Sequence, residues 1–129
     1  MAEITQRIVP HLWFDKEAKE AAQFYTATFK NSRIKNMTTL HDTPSGTVDI
    51  ITFEILGQEF IAFSAGPLFK FNESISFVVK CETQEEIDYY WEKLTSGGGQ
   101  ESECGWLKDR YGLSWQIVPR IMDDMMQKN

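Results

Sequence analysis

Cysteine and histidine are scarce in this chain, with two of each among 129 residues. Cys81 and Cys104 lack CxxC spacing, which excludes a disulfide framework and a structural zinc site. They read as ordinary thiols of a reducing compartment. No apolar run approaches the roughly 18 residues of a membrane span, and Met1 to Arg7 lacks the charged-then-apolar pattern of a secretory signal, so a soluble, cytoplasmic protein is expected. Lys/Arg clusters are missing, and 13 basic residues stand against 19 acidic ones, which argues against nucleic acid or an anionic membrane as partner. There is no GxGxxG, no GxxxxGK[ST] and no GxSxG, and neither cysteine has a histidine partner for nucleophilic catalysis.

What is present is a core-forming composition. Aromatic residues make up 13% of the chain, and a chain of this length suits one domain over residues 1–129. Cys104 to Pro119 is the most strongly marked stretch and reads as a β-hairpin. Asp109 and Gly112 occupy the first and last places of a four-residue turn. Beyond it Leu113, Trp115 and Ile117 alternate with Ser114 and Gln116, so the two polar side chains share one face.

Taken in order, Ile8 to Phe14 reads as a strand running into a helix capped by Asp15. Ala18, Ala21, Ala22, Tyr25 and Phe29 recur at helical spacing up to Lys30-Asn31-Ser32. Three strands follow, Arg33 to Leu40, Thr47 to Leu56 and Glu59 to Ala65. They are joined by a Thr43-Pro44-Ser45-Gly46 turn and by Gly57-Gln58, which matches a two-residue type II′ loop. Residues 66–73 form a connector with Phe69 and Phe71 as aromatic anchors. The plan then restarts. Ser74 to Cys81 is a strand, Thr83-Gln84-Glu85-Glu86 a capping box, Ile87, Tyr90, Trp91 and Leu94 a helical stripe, Gly97-Gly98-Gly99 its stop, and Gln100 to Glu103 a short edge strand.

The order is βαβββ twice, with Ile8 and Ile75 in matching places, which defines an α+β fold of two modules at about 4–66 and 74–119, with a tail at 120–129. Asp123 to Met126 either form part of a terminal helix or fray. Each module alone is small for burying both its sheet face and its helix stripe. Two modules side by side would leave the helix-free sheet face curved around a cavity.

With His11-Leu-Trp-Phe-Asp15 leading into Ala22-Gln-Phe-Tyr25 and the Gly105 to Pro119 hairpin at the end, the chain resembles the vicinal oxygen chelate superfamily of glyoxalases, extradiol dioxygenases and bleomycin-resistance proteins. Gly66-Pro67, Phe69-Lys70-Phe71-Asn72, Ile75-Ser76-Phe77 and Gly105-Trp106-Leu107-Lys108-Asp109 look like its PhnB-like branch, which carries a 3-demethylubiquinone-9 3-methyltransferase label. The resemblance implies paired βαβββ modules whose strands form an open, cupped mixed sheet with helices on the convex face. It also implies a ligand site inside the cup and a homodimer. No nucleotide or S-adenosylmethionine loop supports the methyltransferase label.

Metal-binding relatives draw His, Glu or Gln from the first and last strands of each module. The resemblance puts those places here near Val9 (with His11 two residues on), Ala62 or Ser64, Ser74 or Ser76, and Gln116. Gln116 alone holds a ligand-capable side chain in place and His11 is a displaced candidate, so no metal or other cofactor is expected. His11 can move a proton near pH 7, its plain alternative being a hydrogen-bonded structural histidine. A buried Gln116 needs a partner, which is a ligand, a water or a neighbouring side chain. Trp13, Phe69, Phe71 and Trp106, with Ser76, line an apolar ligand pocket or simply pack. The turn explains Asp109. The leading reading is a small-molecule-binding homodimer without an obligatory metal. Its rivals are a metal-dependent lyase, isomerase or dioxygenase, and a scaffold or regulatory dimer without ligand.

Overall fold

The computed structural model describes residues 6–121. They divide into two compact units, one running to Lys70 and the other starting at Phe71. The first holds β1 (His11–Phe14), α1 (Ala18–Thr28), β2 (Arg33–Thr43), β3 (Gly46–Ile55) and β4 (Gln58–Ser64). Its sheet has the order β1-β4-β3-β2, with β1 parallel to β4 and the other pairs antiparallel. The second holds β5 (Ser76–Cys81), α2 (Gln84–Thr95), β6 (Gln100–Glu101), β7 (Trp106–Lys108) and β8 (Ser114–Pro119), in the order β5-β8-β7-β6 with β5 parallel to β8. The βαβββ plan is therefore present twice, as two four-stranded mixed sheets, each with its own helix. The expected tail element at Asp123 to Met126 lies outside the described residues.

Helix spacing decides what α1 buries. Ala18, Ala21, Ala22 and Tyr25 fall on one face and are fully buried, and the small alanines let the helix lie close on β3 and β4. Tyr25 stacks on Phe53 with ring centroids 6.1 Å apart, and Phe53 stacks on Phe60 at 5.7 Å. Burying each such ring contributes about 1.5–3 kcal/mol. In the second unit Leu94 and Tyr90 of α2 face Leu107, Trp115 and Ile117, all buried.

Four local expectations are corrected. The first strand begins at His11 rather than Ile8, because Pro10 has no amide hydrogen and contributes only its carbonyl, to Ile61 N. Asp15 does not cap α1. The N-cap is Glu17, and the Ala18 amide donates to Ser64 Oγ at 3.0 Å, a cap supplied from a strand 46 residues away. The β3–β4 loop is Leu56-Gly57, not Gly57-Gln58, since Ile55 pairs with Gln58. Both loop residues have positive φ (51° and 81°), the type I′ signature, so Leu56 takes a conformation that suits Asn or Gly. The fifth strand starts at Ser76, because the Ser74 amide is taken by Asn72 Oδ1.

The second helix starts and stops as expected. Thr83 accepts from Glu86 N at 3.1 Å, while the Glu86 carboxylate takes the Glu82 amide, one residue outside a reciprocal capping box. Gly99 has no room for a Cβ, which would lie 2.8 Å from Lys108 O and the Thr95 backbone, so the helix end packs directly on β7. Leu56→Asn should relieve the left-handed strain and stabilise the protein by about 1 kcal/mol, a rise of roughly 3–5 °C in Tm measurable by calorimetry.

Candidate functional site

Sheet register separates the residues that meet the helices from those on the helix-free faces. In the first unit Leu12 and Phe14 are buried against α1, which leaves His11 and Trp13 on the opposite face. Parallel pairing sets Ile61 beside His11 and Phe63 beside Trp13. The places expected at Ala62 and Ser64 lie on the helix side instead, Ala62 fully buried and Ser64 occupied with the helix cap. Trp13 is fixed by its indole N–H donating to Gly66 O at 2.8 Å, and it meets Phe63 and Phe69 edge-on at 5.4 and 4.9 Å. His11 stands edge-on to Phe63 at 6.0 Å, exposed, with no hydrogen bond to another described residue. The result is an aromatic wall ending in an imidazole.

In the second unit the last hairpin builds the site. Asp109 is buried, and its Oδ1 accepts from Tyr111 N (2.8 Å) and Leu113 N (3.1 Å) while Oδ2 accepts from Trp115 Nε1 (2.9 Å). It is more than a turn former, since it also orients the core tryptophan. The register that follows puts Trp106 opposite Gln116 and Lys108 opposite Ser114, all on the face away from α2. Gln116 finds its partner next door, donating from Nε2 to Ser76 Oγ at 2.9 Å. Phe71 lies against Gly112 at the hairpin turn.

A cleft of about 160 Å³ opens beside β7, lined by Trp106, Lys108, Ser114, Gln100, Glu73 and Glu101. Lys108 Nζ pairs with Glu73 at 3.1 Å, which holds the Glu73 carboxyl below its usual range. Glu101 is already bound to the Trp91 indole. Of the four tryptophans, Trp13, Trp91 and Trp115 give their indole N–H to named acceptors, whereas that of Trp106 meets no acceptor among the described residues. Phe63, Glu73, Gln100 and Lys108 were not singled out from the sequence. Strand alternation puts Lys108 on the Trp106 face, but Phe63 needs the β1–β4 register and Glu73 the path of the connector.

The family profile described as 3-demethylubiquinone-9 3-methyltransferase matches residues 6–118. The chain belongs to this family. A PhnB protein from Bacillus cereus with the same methyltransferase label is 31% identical, with a TM-score of 0.73 and alignment over 88% of this chain and 99% of that one. At the level of fold alone, a Pseudomonas aeruginosa protein (15% identity, 89% and 98% covered, TM-score 0.69) and the fosfomycin resistance protein FosX of Listeria monocytogenes (14%, 96% and 98%, 0.68) are similar. The family match and the Bacillus cereus relative, together with these folds, bear out the resemblance to the vicinal oxygen chelate superfamily. No curated protein sequence matches the chain significantly. FosX has also been crystallised with Mn(II) and sulfate.

No three His, Cys, Asp or Glu side chains converge among the described residues, and the helix-free faces offer His11 in one unit and the neutral Gln116 and Ser76 in the other. Nor does any helix among the described residues have the length and hydropathy to cross a membrane.

Two measurements check this geometry. Asp109→Ala strands two backbone amides and an indole N–H in the interior, so a loss of about 3–5 kcal/mol is expected in urea unfolding. Cys81 is buried, and desolvation, with the Glu86 charge beside it, pushes its thiol up to about 12, whereas Cys104 is exposed. Iodoacetamide at pH 8 should alkylate Cys104 alone until the chain is unfolded, as mass spectrometry would show.

Proposed function

We propose that this chain is a small-molecule-binding protein that works without an obligatory metal, as a cytoplasmic homodimer. The observation that carries the reading is the character of the helix-free sheet faces. In the first unit Trp13 and Phe63, with Phe69 of the connector, stand beside His11, and in the second Trp106 shares its face with Lys108, Gln116 and Ser76, so each offers the aromatic area and few polar groups that small-molecule sites use for contact and orientation. Membership of a family with a methyltransferase description does not alter this, because the sequence has no GxGxxG motif to hold a nucleotide-like methyl donor.

Homodimerisation accords with the exposed edge strands, since an unpaired edge and exposed Met37 and Leu40 on β2 favour being covered. The metal-dependent alternative finds support in the fold it shares with FosX, but its donor set is wanting.

Thermal-shift screening with small, partly apolar compounds should give ligands that raise Tm, with Gln116→Ala cutting the ligand-induced shift by at least half while Tm without ligand falls by only a few degrees. Metal analysis of the purified protein should find substoichiometric transition metal, and chelation should leave Tm unchanged. Stoichiometric metal with a large chelator-induced drop would overturn the proposal. Light scattering at micromolar concentration should report a dimer.

A further inference from the structure

Resting on the small-molecule-binding reading, we infer that the cleft beside β7 recognises the carboxylate of a monoanionic ligand, whose apolar body lies along the Trp106 ring. The donor inventory points that way. The Trp106 indole N–H has no acceptor among the described residues, and Gln100 makes no side-chain hydrogen bond there. The Ser114 hydroxyl is fully buried beneath them and gives its hydrogen to Asn72 O at 3.5 Å, so it supports the cleft floor and is not one of these donors. Lys108 has three N–H donors and one anionic partner. Of the two carboxylates lining the cleft, Glu101 is engaged by the Trp91 indole, and Glu73, the one paired with Lys108, is itself a carboxylate lying across these donors.

Glu73 therefore marks the place a ligand carboxylate would take. It sits on the connector before β5 with 64% of its side chain exposed, so it can leave Lys108 for water at little cost. Glu101 does not compete for Lys108. It pairs with Leu107, whose face is opposite that of Lys108, and its carboxylate holds the Trp91 indole. With Glu73 turned out to water and Glu101 held on the Trp91 indole, the single ammonium of Lys108 balances one negative charge and not two, which favours a carboxylate over a phosphate group of about −1.5 to −2. The volume of about 160 Å³ suits a molecule of benzoate size or one end of a larger one.

The test uses benzoate, its neutral amide benzamide, and inorganic phosphate at constant ionic strength. Binding is followed by the Trp106 indole N–H resonance, assigned with Trp106→Phe. Benzoate should shift that resonance saturably, and at least tenfold more tightly than benzamide or phosphate. Lys108→Gln should weaken benzoate by about tenfold or more, and Glu73→Gln should tighten it roughly three- to tenfold by removing the internal competitor. Glu73 is on the surface, so that variant remains informative if Lys108→Gln folds poorly. Equal binding of benzoate and benzamide, preference for phosphate, or a Glu73→Gln variant that binds benzoate no better would overturn the carboxylate assignment while leaving small-molecule binding intact. If none of the probes moves the Trp106 signal, the carboxylate assignment falls. If thermal screening also yields no ligand, the binding reading falls with it.

Discussion

The carboxylate of Asp109 is the point on which the second unit turns. Buried, it is tolerable only because two backbone amides and one indole N–H converge on it, and each of those donors would in turn be stranded without it. This three-way arrangement closes the turn at Gly112, orients Trp115 into the core and sets the pairing of β7 with β8. Once that register exists, period-two alternation delivers Trp106, Lys108, Ser114 and Gln116 together to the other face. A displacement by one residue would exchange them for Leu107 and Trp115.

The first unit reaches a comparable face by other means. There is no buried carboxylate among its described residues. Its sheet is set by aromatic stacking under α1, by the parallel β1–β4 pairing, and by a helix cap borrowed from β4. The Ser64 hydroxyl ties the end of β4 to the start of α1, so the strand that carries Phe63 and the strand and helix that follow His11 and Trp13 are fixed together. Trp13 adds the tie to Gly66, which brings Phe69 against it. The face so formed is aromatic with a single imidazole, whereas that of the second unit is richer in hydrogen-bond donors. The two repeats are thus chemically different beneath one plan.

Much of the fold was legible along the chain. Amphipathic spacing located both helices, because burying one face of a helix demands a 3.6-residue period whatever its partner, and alternation in Leu113 to Val118 separated Trp115 and Ile117 from Ser114 and Gln116. Errors came where a backbone group found its partner at long range or where a residue accepted an unfavourable conformation. Asp15 had the chemistry of a cap, but Ser64 occupied the role. Leu56 has no preference for positive φ, yet strand pairing forces it there.

The chain by itself determined the doubled βαβββ plan, the faces of its helices and strands, and the scarcity of histidine and cysteine, since these follow from local periodicity and from which residue types are present. Only the tertiary structure decided which side chains become neighbours. The pairing of Lys108 with Glu73, the contact of Trp13 with Phe63 and Phe69, the Gln116–Ser76 bond and the unengaged Trp106 N–H all depend on register and on connector paths. Those arise from packing of segments far apart in sequence, where the free energy is set by the fit of whole faces and not by the preference of any one residue.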